Sequence, residues 1–436
     1  MTDSLLVILD DTVAGAVVRL QGGRLQFDYD DQYQYQYRVR AGATPLSLSM
    51  PIQVRSHADG VVTPWLRNLL PDSSAVVERW ARQFQVSASS PFSLLATQIG
   101  EDCAGAVRFA PSEEIDRVLA RSGDVTWLTE DDVARRLRDL RNDATSWLGE
   151  SFTGQFSLAG AQAKTALLVQ DGRWGVPSGS IPTTHILKPA VAGFDDHDLN
   201  EHLCLDAARR VGLVAVRTAV TRFGDESAVV VERYDRLRRG EQIVRVHQED
   251  LCQALGVPPS RKYQNEGGPG PADIAKLLRR AMPPRIADVA VQRFVDALVW
   301  NWIIAGTDAH AKNYSLLLAD DQVRLAPMYD VASALPYDVH ERKLKLAMKV
   351  GGDYRVVASR NPWPDVAREF GLDGDELVTR VVELATLAPG AFAEAATAAE
   401  VVELHRPLPA RLTDLVADRA ERCLGLMGAS RATSGS

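Results

Sequence analysis

The chain is short of cysteine: four in 436 residues, Cys103, Cys204, Cys252 and Cys423, with no C-x-x-C pair. That scatter argues against a zinc site or a disulfide framework and leaves buried free thiols as the expectation. Long apolar runs are also missing. No stretch reaches about 18 uninterrupted apolar residues, so no membrane-spanning helix and no membrane partner are expected. The apolar start, SLLVIL, lacks a basic leader and has acids beside it. It reads as a first strand, not a signal peptide, in a cytoplasmic protein. Positive charge is in deficit. Against 57 Asp and Glu stand 49 Lys and Arg, a net charge of -8, so a general nucleic-acid-binding surface is not expected, and a local basic patch stays open. Internal repeats and long low-complexity linkers are absent. What is present, 46% hydrophobic and 24% charged residues, suits a folded chain with a large core in about two or three domains.

The pattern of elements changes along the chain. Residues 4 to 28 read as short strands, LLVILD, VAGAVVRL and RLQFDYD. PWLRNLLPD and SSAVVERWARQFQ read as amphipathic helices, the second capped by Asp72 or Ser73, and FSLLATQI as a third. GAVRFAP returns to strand and closes a first unit near residue 112. Thr129 can cap the helix EDDVARRLRDLRND, whose first-turn acids suit the helix dipole. Residues 156 to 170 suggest strand, turn, strand. THILKP is a short strand, NEHLCLDAARRVGL a helix ending near Gly212, AVRTAV and SAVVVERYD strands, and QEDLCQALG a short helix. The remainder to about 430 is mostly helical, with helices at 287–305, around 361–371 and at 411–426. The fold class is α+β: a small β-rich half, then a larger helical half, the bilobal plan of protein kinases, which hold nucleotide between their lobes.

The chemistry concentrates in Trp300 to Leu318, WNWIIAGTDAHAKNYSLLL. Asp308, His310, Lys312 and Asn313 stand within six residues between apolar runs, where ionisable groups are costly without a use. Asp308 and Asn313 have the D-x-x-x-x-N spacing of a kinase catalytic base and metal-binding Asn. A second acid flanked by apolar residues, Asp330, follows a predicted short strand pair. Together these are the parts that phosphoryl transfer from ATP with Mg2+ requires. Upstream, the small residues of SLAGAQAK (Ala159, Gly160 and Ala161, with Ser157 and Gln162) would let backbone N–H groups approach phosphate oxygens. Lys188, closing THILKP, would pair with phosphates, oriented by Glu201, or else is a solvated strand-end lysine. Backbone groups of Glu232 and Tyr234 would meet adenine, or else mark a plain strand edge. KYQNEGGPG, 262 to 270, reads as a mobile connector. His197 and His202 read as helix-surface residues.

The ordered set SLAGAQAK, THILKP, NEHLCLDAARRVGL, VVERYDR, QEDLCQALG, KYQNEGGPG, GTDAHAKN and MYDVASALP resembles the HipA family, bacterial serine/threonine kinase toxins of type II toxin–antitoxin systems. PLSLSMP, NLLPDS and PFSLLATQIGEDCAGAV resemble that family's N-terminal subdomain, so the likeness spans nearly the whole chain. The resemblance implies a HipA-like bilobal kinase fold divided at 1–112, 113–235 and 236–430, with a flexible tail at 431–436. It implies Asp308 as base, with His310 and Lys312 beside it in the catalytic loop, and Asn313 and Asp330 as Mg2+ ligands. It implies Lys188 on phosphate, Glu232 and Tyr234 on adenine, and Ser157 as the autophosphorylated loop serine. One departure is Ala163, where the family's loop would carry a glutamate. The implied partners are a small dimeric helix-turn-helix antitoxin resembling HipB, operator DNA reached through it, and an aminoacyl-tRNA synthetase as protein substrate. The alternatives are a small-molecule or lipid kinase, or a catalytically silent DNA-bound corepressor subunit.

Overall fold

A computed structural model describes residues 4–9, 11–39, 44–120, 122–148, 156–191, 193–240, 242–319, 322–337 and 340–428. The chain divides into two units. The first comprises residues 1–189, 223–262 and 315–326, the second 190–222, 263–314 and 327–436.

The first unit begins with the predicted strands, Ser4–Leu9, Thr12–Arg19 and Leu25–Tyr29. Their antiparallel sheet runs Ser56–His57, Leu25–Tyr29, Thr12–Arg19, Ser4–Leu9, Arg108–Pro111. Alternation puts Leu5, Val7, Phe27 and Tyr29 inward, where helices Asp59–Leu69 and Ser74–Gln83 supply Trp65 and Trp80. Both indoles are almost completely buried, and losing a ring of that size from a core costs about 3–5 kcal/mol. The same buried cluster takes in Phe156 and Leu158, so the small-residue loop starts on the N-terminal core. Ser73 stands at the helix start as expected, but its side chain makes no capping bond.

Further along the first unit, Glu226–Glu232, His185–Pro189, Thr165–Gln170, Arg173–Pro177 and Val125–Leu128 are antiparallel neighbours in that order. Thr129 caps Glu130–Asn142 with a full capping box to Asp132, as the sequence predicts. Two expectations fail here. No strand forms at 156–160, because Ser157 makes only an isolated parallel bridge to Cys103 and the strand starts at Thr165. QEDLCQALG is strand for its first half, His247–Asp250, and helical only over Leu251–Ala254. That strand pairs with Ser315–Ala319, which pairs with Gln322–Leu325. These last two are the strand pair expected between Asn313 and Asp330.

The second unit is helical: His197–Arg210, Pro271–Ala281, Pro284–Ile303, Trp363–Phe370, Gly374–Ala396 and Leu408–Leu426. Gly374–Ala396 packs on both His197–Arg210 and Leu408–Leu426. Trp300 stacks on Phe392 at 6.0 Å, and Trp302 meets Trp363 edge-on at 5.5 Å. Pro284–Ile303 is apolar nearly all round over its second half, which marks it as the buried helix of this unit. His202 is a correction. It is buried, with Nδ1 bonded to Thr218 Oγ1 at 2.9 Å, and burial lowers its pKa. All four cysteines are buried thiols outside any disulfide. Among the described residues no helix is long and apolar enough to cross a membrane.

Candidate functional site

In the second unit, the buried helix Pro284–Ile303 delivers its C-terminus to Asp308. The exit is tight. Ala305 takes a left-handed φ of 53°, and Gly306 N donates to Asn301 O at 2.7 Å. A Cβ on Gly306 would lie 2.2 Å from Asn301 Oδ1, so only glycine fits. The chain then turns through Ala311–Asn313. His310 N and Asn313 Nδ2 both donate to Asp308 O, each at 2.8 Å, and Asn313 N donates to His310 O at 2.9 Å. The turn is thus closed on the Asp308 backbone, leaving its carboxylate exposed. His310, Lys312 and Asn313 are buried.

Asp330 belongs to the same unit. Tyr329 Oη donates to Lys312 O at 2.7 Å, so Asp330 and Asn313 each lie one residue from a bond joining their segments. Asp330 has a left-handed φ of 56°, strain of the kind that persists where surroundings over-determine it. Those surroundings include Asn200, which exchanges two hydrogen bonds with the Ser333 backbone at 2.8 and 2.9 Å. Asn313 commits its amide nitrogen to Asp308 O, which orients its carbonyl oxygen as the remaining polar group. An amide oxygen and a carboxylate are hard donors that fit Mg2+.

KYQNEGGPG is not the loose connector its glycines suggest. It forms a 3-10 turn at Gln264–Glu266, with Gln264 Oε1 accepting from Lys349 N at 2.7 Å. Tyr263 Oη donates to Asp308 Oδ1 at 2.5 Å, and its ring meets His310 edge-on at 4.8 Å. Sequence reading missed Tyr263. The only signal was an aromatic inside a glycine-rich stretch.

The first unit carries the other candidates. Ser157 is completely buried: its N–H donates to Asp102 O at 2.8 Å and its hydroxyl to Leu69 O at 2.7 Å. Ala159 O accepts from Lys164 Nζ at 2.7 Å, and that ammonium stands over the Trp147 ring at 4.9 Å. Gly160 has φ 107°, and a Cβ there would meet Lys164 Nζ at 2.6 Å. Ala161 is exposed. Gln162 Nε2 is a buried donor with no partner among the described residues, in the loop proposed to meet phosphate. Lys188 is buried on its strand opposite Val229, which overturns the solvated alternative. Glu232 is exposed at its strand end, and Tyr234 Oη bonds to Gln248 Oε1. Lys164 was missed as a loop-shaping residue, although its place at the end of SLAGAQAK was visible. The candidates therefore fall in two groups: Ser157, Ala159, Gly160, Ala161, Gln162, Lys188, Glu232 and Tyr234 in the first unit, and Asp308, His310, Lys312, Asn313 and Asp330 in the second.

Residues 5–110 match the HipA N-terminal domain and residues 156–392 the HipA-like C-terminal domain. A putative kinase of Sinorhizobium fredii, Y4mE, is 36% identical over 321 residues, 73% of this chain and 74% of that protein. The serine/threonine-protein kinase toxin HipA of Shewanella oneidensis is 27% identical over 354 residues, 76% of this chain and 77% of that protein. Among solved structures, the Shewanella oneidensis HipA in complex with HipB and operator DNA superposes with a TM-score of 0.81 at 24% identity. That match covers 97% of this chain and 98% of that one and establishes the likeness of fold. The class is a protein kinase, an enzyme that takes its phosphoryl group from ATP. Within it, the chain belongs to the HipA family.

Proposed function

We propose that the chain is a serine/threonine kinase toxin of a toxin–antitoxin pair, arresting growth in the cytoplasm by phosphorylating a translation factor of the aminoacyl-tRNA synthetase class. Its restraint is a small dimeric helix-turn-helix antitoxin of the HipB kind, which carries the pair to operator DNA. An acidic chain suits that division, since a basic partner supplies the phosphate contacts. The working divisions are 1–112 for the N-terminal subdomain, 113–235 for the nucleotide lobe, 236–430 for the helical lobe and 431–436 for the tail. The observation that carries the reading is the Asp308–Asn313 turn, closed on itself and tied through Tyr329 to Asp330.

In this mechanism Asp308 orients the acceptor hydroxyl and takes its proton. Lys312 offsets charge on the transferring phosphoryl, with His310 packed beneath the turn. Asn313 and Asp330 would hold Mg2+, which when bound would neutralise phosphate charge. The loop at Ser157–Gln162 and Lys188 cradle phosphates, and the backbone at Glu232 and Tyr234 meets adenine. Tyr263 fixes the Asp308 carboxylate by donating to one of its oxygens. Tyr263→Phe is therefore expected to lower kcat by about 10-fold with little change in the KM for ATP, the cost of a mispositioned base. Steady-state kinetics of the two proteins check this, and an unchanged kcat would remove Tyr263 from the mechanism.

Ser157 is the proposed autophosphorylation site. Its hydroxyl is buried against Leu69 O, so a phosphate of about −2 charge cannot occupy that place and must displace the loop. The test is expression of the chain alone and with a small helix-turn-helix protein encoded beside it, followed by peptide mass spectrometry. Growth arrest relieved by the neighbour, and phosphate on Ser157 that is absent from Asp308→Asn, are expected. Arrest undiminished in Asp308→Asn would refute the toxin reading, and a bare Ser157 in active protein would refute autophosphorylation there.

A further inference from the structure

The segment Asp102–Gly105 belongs to the N-terminal domain match, and the proposed chemistry does not use it. It is nevertheless bonded to both stretches of the first unit that are assigned to nucleotide. On one side, Asp102 O holds Ser157 N, and Cys103 bridges Ser157 in parallel. On the other side lie the residues around Tyr234. The Asp102 carboxylate pairs with Arg236 at 2.8 Å and Arg233 at 3.3 Å. Cys103 O accepts from both guanidinium groups, at 2.9 and 3.1 Å. Gly105 N donates to Asp235 Oδ2 at 2.7 Å, and Gly105 O accepts from Arg236 at 2.8 Å. Thr183 closes the set: its hydroxyl donates to Asp102 at 2.7 Å and accepts from Arg233 at 2.8 Å.

All four charged residues are buried. Burial alone would push the Asp102 carboxyl up, but Arg236, then Arg233 and Arg245, outweigh it and hold the pKa well below the usual range. Such a network is poor value for stability, because desolvation offsets most of the attraction. What it does supply is fixed geometry. Arg233 and Asp235 flank Tyr234, and with both side chains locked the intervening backbone has little freedom. Gly105 has φ 77°, and a Cβ there would come within 2.6 Å of Gln248 N, next to the side chain that holds Tyr234 Oη.

We propose that Asp102–Gly105 is a positioning element for the nucleotide, by which the N-terminal subdomain holds the phosphate loop and the adenine-contacting strand end in register. The proposal rests on the reading of Ser157–Lys164 and Glu232–Tyr234 as nucleotide contacts. The test uses the full chain and two substitutions, Asp102→Asn and the near-isosteric Thr183→Val. Binding of a non-hydrolysable ATP analogue is measured by calorimetry, beside steady-state kinetics and thermal melting. Asp102→Asn is expected to raise the analogue Kd and the KM for ATP by about 10-fold, with kcat at saturating ATP within about 3-fold. Thr183→Val is expected to raise both by about 3-fold to 5-fold at an unchanged melting temperature. If Asp102→Asn does not fold, Thr183→Val decides alone. Analogue affinity within about 2-fold of wild type in the folded variants overturns the proposal, as does a loss confined to melting temperature. Failure of the underlying reading looks different: Ala161→Asp, which puts a negative charge in the exposed part of the loop, would then leave the analogue Kd of the full chain unchanged.

Discussion

Asp308→Asn is expected to fold as the wild type and to transfer phosphate at least about 100-fold more slowly. The fold should survive because the turn is closed on the Asp308 backbone: His310 N and Asn313 Nδ2 both use its carbonyl oxygen. The side chain is exposed, so no buried carboxylate is lost. Asparagine also keeps an oxygen for Tyr263 Oη, whose present partner is Oδ1. What disappears is the proton acceptor. Superimposable melting curves, with transfer from ATP to a protein acceptor lost, are the expected pair of results. Transfer at the wild-type rate would remove Asp308 from the role of base and leave the kinase class, which rests on relatives, standing.

The turn was legible in the sequence because its chemistry is local. Asp308, His310, Lys312 and Asn313 sit within six residues between apolar runs, and the two strands before Asp330 pair as neighbours in sequence. The Thr129 cap is legible for the same reason: its partner, Asp132, is three residues away. Long-range chemistry was not legible. Tyr263 meets Asp308 across 45 positions, and three nearby glycines disguise its segment as a linker. Arg233, Asp235 and Arg236 reach Asp102 and Gly105 across 130 positions or more. In sequence they read as a strand passing into polar chain, yet they are buried, because their partners come from the N-terminal subdomain. His202 misled in the same way: a polar residue on a helix reads as surface until Thr218 supplies its bond. Ser157 failed as a strand because its backbone partner is Cys103, a contact no local pattern encodes.

A second large effect is expected on stability, through Glu249. This residue lies on the strand His247–Asp250 and is almost wholly buried. Oε2 accepts from Ser47 Oγ at 2.5 Å and Oε1 from Leu48 N at 2.8 Å, joining PLSLSMP to the strand across some two hundred positions. Burial pushes its pKa up to about 8, and the two hydrogen bonds offset this only in part. In the unfolded chain a glutamate titrates near 4.3. Between those values the folded chain keeps a proton that the unfolded chain has released, so stability falls as pH rises. The contribution is complete below the unfolded pKa and lost above the folded one. Neighbouring His247 acts oppositely. Burial lowers its pKa to about 4, so it favours the folded state increasingly as pH climbs toward about 6.5, and no further. The Glu249 effect should therefore emerge between pH 6.5 and 8, where it amounts to roughly 2 kcal/mol. Glu249→Gln keeps the shape and a bonding group while abolishing the titration. Urea unfolding at both pH values should show the wild type losing about 2 kcal/mol more than Glu249→Gln over that interval. Equal losses in the two proteins would mean that Glu249 is already ionised in the fold, and that Ser47 and Leu48 hold a carboxylate.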